Sequence, residues 1–212
     1  MQRKHPLWFL LPLALLLPLA ACSGQAPAAD APQEAAAYTL APYTPTAQEE
    51  TLLQAYELTQ DNAAAFTFQN PEQDLALYVQ VYRLGEDGAW QSAEEVSAGL
   101  VLPPQGEGLV TLQLEDSGAV VTRTLYDGSL QAGGAGPLSG AEAAGARVKL
   151  FLSQAQPIQE DVPIPLALLV YGEDGDNDAL AALTLEDYFT PENLTGLGQV
   201  QVVTATFSAA GL

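Results

Sequence analysis

Tyr78 and Tyr82 stand four residues apart in "DLALYVQVYRL", and Trp90, the only tryptophan outside the N-terminal leader, follows closely. Flat rings of this kind can lie against the apolar faces of sugar rings, with neighbouring amides such as Gln80 taking the hydroxyls. The plainer alternative is packing, because tyrosine and tryptophan bury large areas and commonly fill or shield sheets. Which of the two holds depends on whether the rings share an exposed face.

A second cluster lies in "YGEDGDNDAL", where Asp174, Asp176 and Asp178 alternate. Calcium takes about six to eight oxygen ligands, and carboxylates at this spacing can wrap a loop around it. The segment imitates the opening of an EF-hand loop but departs from it twice. Ala179 stands where the sharp-turn glycine belongs and Leu185 where the bidentate glutamate belongs, with Glu186 one place late. The remaining readings are a looser calcium loop and a solvated acidic turn.

Catalytic chemistry finds less footing. Beyond the leader the chain has no histidine and four basic residues, Arg83, Arg123, Arg147 and Lys149, against all 26 acidic ones. Imidazole-based metal sites therefore have no ligands there, and thiolate-based ones have only Cys22. Ser-His-Asp and Cys-His arrangements lack their base. Carboxylate pairs can hydrolyse glycosides, but with so many acids such pairs arise by chance. Lys149, in "ARVKLF", has no serine at a dyad spacing, and "GAEAAGAR" lacks the Lys-Ser/Thr of a phosphate loop. No catalytic residue is assigned, and a non-enzymatic role is expected. A net charge of −20 over 212 residues repels phosphate backbones and anionic headgroups, which argues against nucleic-acid partners.

The single cysteine, Cys22, ends an apolar run that follows Arg3 and Lys4. Pro12 and Pro18 interrupt that run, and it is shorter than the ~20 residues a spanning helix needs. A cationic start, a short apolar stretch and small residues at its end describe a secretory signal peptide. The boundary "LAAC", Leu19-Ala20-Ala21-Cys22, resembles the lipobox of bacterial lipoprotein precursors. The resemblance covers the leader and implies cleavage between Ala21 and Cys22, with a diacylglyceryl group on the Cys22 thiol. Two or three acyl chains, at ~0.8 kcal/mol per buried methylene, hold a protein durably on a membrane. The implied location is the cell membrane, lipid-anchored and facing the extracytoplasmic side.

The elements that must position these residues follow from periodicity. Residues 1–21 form the leader, and 22–45 the lipidated cysteine with an Ala/Pro-rich tether. From 46 to 212 two-residue alternation dominates. Leu75, Leu77, Val79 and Val81 face opposite to Tyr78, Gln80 and Tyr82. "GEDG" at 85–88 and Asp116-Ser117-Gly118 read as hairpin turns. "TLLQAYELT" is read as strand, although Thr46 and Glu49 fit a capping box. "GSLQAGGAGPLSGAEAAGA" reads as a long loop, "IPLALLVYG" as a central strand, and "LEDYFTPENLTG" as holding a short helical turn.

Roughly eight short strands without a long amphipathic helix predict an all-β fold, an antiparallel sandwich of immunoglobulin-like or jelly-roll type. In style the domain is similar to small β-sandwich lipoproteins of Gram-positive bacteria. The expected function is non-catalytic binding or assembly at the cell surface. A carbohydrate- or calcium-dependent recognition module is the alternative, with a cell-envelope protein or a glycan as ligand.

Overall fold

Alternation of apolar residues along the chain becomes strand after strand in the computed structural model. It describes residues 38–71, 74–94, 100–102, 104, 106–136, 146–171 and 177–209, all within the unit Ala36–Leu212. In chain order the elements are β1 (Thr39–Pro42), α1 (Ala47–Ala55), β2 (Ala63–Gln69), β3 (Leu75–Leu84), β4 (Trp90–Glu94) and β5 (Leu100–Leu102). There follow β6 (Glu107–Leu114), β7 (Val120–Tyr126), β8 (Ser129–Ala135), β9 (Val148–Phe151), β10 (Gln156–Pro157) and β11 (Ile164–Tyr171). The chain closes with α2 (Asn177–Ala182), two 3-10 turns (Leu185–Phe189 and Pro191–Leu194) and β12 (Gln199–Ala209).

Two antiparallel sheets form an all-β sandwich. The first runs β10-β1-β2-β6-β7-β8, and the second β4-β3-β12-β11-β9 with β5 also on β3. Between them lies one apolar core, to which Phe66, Val110 and Leu112 come from the first sheet and Leu77, Val79 and Phe207 from the second. Phe68 stacks on Tyr126 (5.9 Å between centroids) and meets Phe207 edge-on across the layers at 5.5 Å. Each buried side chain of this size stabilises the fold by roughly 1.5–3 kcal/mol.

β11, apolar on both faces as its sequence predicts, is buried along its whole length. Leu169 and Tyr171 enter the inter-sheet core, while Leu168 and Val170 join a second cluster outside the second sheet. Leu180, Leu194 and Leu197, from α2 and the turns after it, close that cluster with Val200. The second sheet thus carries its own cap. Inside that cap Thr184 begins the first 3-10 turn. Burial opposes ionisation of Asp187, but the Asn193 amide and the Thr184 N–H and hydroxyl outweigh it and hold the carboxyl below its usual range.

Three expectations need correction. "TLLQAYELT" falls largely in a helix. Thr46 caps α1 in a complete box, its N–H donating to Glu49 Oε2 at 2.7 Å while the Glu49 N–H returns to Thr46 Oγ1. The Thr46 N–H, the Thr46 hydroxyl and the Tyr43 phenol hold the Glu49 carboxyl below its usual range. These bonds are all local, so α1 forms although none of its residues is buried. The glycine-rich stretch after 128 is not all loop either, since Ser129–Ala135 pairs along β7 as β8. Finally, Thr39–Pro42 lies within the stretch read as tether yet pairs with both β2 and β10.

Candidate functional site

β3 places its polar and aromatic residues on the outer face of the second sheet. Its register sets Tyr78, Gln80 and Tyr82 against Thr206, Thr204 and Val202 of β12. β4 brings Ser92 beside Tyr82 and Trp90 beside Leu84. The sequence-predicted rings Tyr78, Tyr82 and Trp90 therefore do share one face, and all three are half-buried.

Packing engages much of this face. The Tyr82 hydroxyl donates to Gln80 Oε1 at 2.9 Å. Trp90 donates its indole N–H to the Tyr188 carbonyl at 3.0 Å, and the two rings lie 5.5 Å apart. Tyr188 in turn meets Phe189 edge-on at 4.9 Å. Burial, and secondarily the nearness of Tyr82, push the Tyr188 phenol above its usual pKa. Trp90 is thus part of the seam between β4 and the cap. Beneath, Thr204 is fully buried with its hydroxyl lacking any hydrogen-bond partner.

Of the three aspartates considered for calcium, Asp178 lies in the first turn of α2, whereas Asp174 and Asp176 lie outside the described residues. Among the described residues no group of three His, Cys, Asp or Glu side chains gathers as a metal site would. Ala21 and Cys22 also lie outside the described residues.

Arg83 projects from β3 toward the first sheet. Its Nη2 donates to the Gly136 carbonyl at 3.0 Å. With the Gln201 amide oriented to satisfy both ends, Arg83 Nε donates to its oxygen and its nitrogen donates to the Gly118 carbonyl, each at 3.2 Å. Tyr171 lies near this polar bridge between sheets. Burial raises its phenol to about 12, against the opposing pull of Arg83. Beside Arg83, Glu86, Asp87, Gln91 and Gln199 line an open cavity of about 900 Å³.

Exposed apolar side chains occur on the second sheet as well, at Val101 of β5, but on the outer face of the first sheet they line up. Register aligns Ala41, Thr67, Leu109, Leu125 and Leu130 in one row across five strands. Leu125 is 44% exposed and Leu130 66%. A groove of about 510 Å³ opens over the row from Ala41 to Leu125, with Thr39, Thr67 and Leu109 along it and Glu107 and Asp127 at its end. Glycine shapes this end: a Cβ on Gly108 would stand 2.2 Å from Phe68 Cζ. This site does not stand out in the sequence. Its signal there is leucine on both faces of "GLVTLQL" and the pair Leu125 and Leu130 in "TRTLYDGSL", and alignment of those leucines depends on register.

No family model, curated protein or solved structure matches the chain.

Proposed function

We propose that this protein is a lipid-anchored extracytoplasmic lipoprotein whose sandwich serves as a non-catalytic binding module, with the outer face of its first sheet as the contact surface. The observation that carries the binding half is the asymmetry between the outer faces. The second sheet packs a cluster of its own cap residues over Leu168, Val170 and Val200, whereas Leu125 and Leu130 of the first stay exposed beside a groove. Exposed apolar rows rimmed by polar groups are the usual mark of a contact surface. The anchoring half rests on the leader and on Leu19-Ala20-Ala21-Cys22.

Mass spectrometry of protein purified from membranes tests the anchor. The expected N-terminus is Cys22 carrying a diacylglyceryl thioether, and Cys22→Ser abolishes that mass. An unmodified thiol, or a retained leader, overturns the assignment.

A carbohydrate-recognition role draws support from the alignment of Tyr78, Gln80 and Tyr82 on one face. It is the weaker reading, because Trp90 is committed to the Tyr188 seam. Glycan-array binding lost in Tyr78→Ala and Tyr82→Ala would favour it over the first-sheet surface.

A further inference from the structure

We propose that the free edge of β8, with the leucine row that runs up to it, takes a basic, extended polypeptide segment as an added strand. The hairpin geometry decides which groups are available. Asp127 (φ +45°) and Gly128 (φ +73°) form the two-residue turn between β7 and β8, in the left-handed region that a type I′ hairpin requires. In such a hairpin the closing pair, Tyr126 and Ser129, exchanges both backbone hydrogen bonds. Alternation along the register then makes Thr124–Gln131 and Thr122–Gly133 bonded pairs too. Leu130, Ala132 and Gly134 therefore turn their N–H and C=O groups away from β7.

β8 is the last strand of its sheet, and among the described residues no strand pairs with its far side. Natural edges are commonly blunted by charge or proline. β8 reads "SLQAGGA", with neither, in a chain that carries 26 acidic residues. Its far end, near Ala135 and Gly136, approaches the second sheet, where Arg83 takes the Gly136 carbonyl. The near end is open, with Leu130 66% exposed and Ala132 also exposed.

The side chains specify the occupant. An added strand sets its own outward residue beside Leu130 and so extends the row Leu109–Leu125–Leu130, which favours an apolar residue there. Asp127 sits at the turn and Glu107 at the groove's end. The one base on this face among the described residues, Arg123, is turned to Gln113 Oε1 at 3.3 Å. A net charge of −20 draws a cationic chain and repels a second copy of this one. The partner is therefore extended, alternates apolar with basic residues, and gains its affinity from backbone bonds along β8. This inference rests on the first-sheet surface being the contact face and does not depend on the anchor.

The test uses full-length protein in non-ionic detergent and a fluorescent Lys-Val-Lys-Val-Lys-Val peptide, read by anisotropy. Saturable binding is expected, and it is absent for the Glu-Val counterpart. Methylating the peptide's alternate backbone nitrogens weakens binding about tenfold, as removal of one or two backbone bonds should. Ala132→Pro, which removes an outward donor but no bond to β7, weakens it about as much, and Leu130→Lys abolishes it. Unaltered circular dichroism of Ala132→Pro establishes that the sheet persists, and the methylated peptide tests the edge in the unaltered protein. Equal binding of the methylated and parent peptides reduces the effect to charge adsorption and overturns the proposal. So does absence of saturation up to about millimolar peptide, or a sedimentation dimer that Ala132→Pro dissolves, which would give the edge to a second copy. Binding that persists in Cys22→Ser upholds the edge even where the anchor fails.

Discussion

Trp90 and Tyr188, 98 residues apart, are joined by an indole N–H bond to a backbone carbonyl at 3.0 Å and by ring contact at 5.5 Å. The bond ties an edge strand of the second sheet to the cap that covers that sheet. Trp90→Phe keeps an aromatic ring and loses the donor, so it should lower stability by about 1 kcal/mol. The loss should be concentrated locally: amide exchange over 185–197 should accelerate more than exchange in β11. Uniform acceleration in both places would mean that the seam has no separate role.

Gly108 faces Phe68 so closely that a methyl group would stand 2.2 Å from Cζ. Phe68 cannot simply turn aside, since it stacks on Tyr126 and abuts Phe207. Gly108→Ala should therefore cost about 1–3 kcal/mol in urea unfolding, the usual range for overpacking. Phe68→Leu should relieve part of that cost in the double variant, giving a favourable coupling energy in the cycle. Additive losses would show that the ring is not the obstacle.

Thr204 is fully buried, and its hydroxyl has no hydrogen-bond partner. An unsatisfied buried hydroxyl costs roughly 1–3 kcal/mol, whereas a methyl of the same shape does not. Thr204→Val should thus raise the unfolding midpoint, by about 1 kcal/mol in stability. Thr204→Ser, which keeps the hydroxyl and deletes the methyl, should lower it. A destabilised Val variant would reveal that the hydroxyl is satisfied in solution.

Tyr171 is 1% exposed, and burial raises its phenol to about 12 in the folded protein. The unfolded chain ionises the same group near 10, so the folded state favours the protonated form. The resulting stability is fully present below pH 10, declines from there, and is lost as pH passes through about 12. Unfolding free energy should fall over that alkaline window, and Tyr171→Phe should flatten the fall. An unchanged slope in the Phe variant would assign the alkaline loss to other groups.

Much of the strand pattern was legible locally because side-chain direction alternates with a period of two. The inward set Leu75, Leu77, Val79 and Val81 and the doubly buried β11 follow from that period alone. So does the sharing of one face by Tyr78, Gln80 and Tyr82. The turns at Gly88 and Gly118, both at positive φ, could be read for the same local reason. The helix at Ala47–Ala55 is legible too, through Thr46 and Glu49, although the turn residues Gln60–Asn62 before "AAAFTFQN" suggest a strand there instead.

Other features needed the folded chain. "SLQAGGA" has little strand propensity, and its pairing comes from the turn at Asp127-Gly128 and from β7 alongside it. The Leu109–Leu125–Leu130 row exists only once register aligns three strands, because a shift of one residue would scatter it. Trp90's role was set by a partner 98 residues away. The sequence by itself determined the direction of side chains within each strand and the acidic charge of the chain, because both depend on neighbouring residues or on composition. Tertiary structure decided which outer face received a cap and which leucines stayed exposed, because those outcomes depend on contacts between segments far apart in the chain.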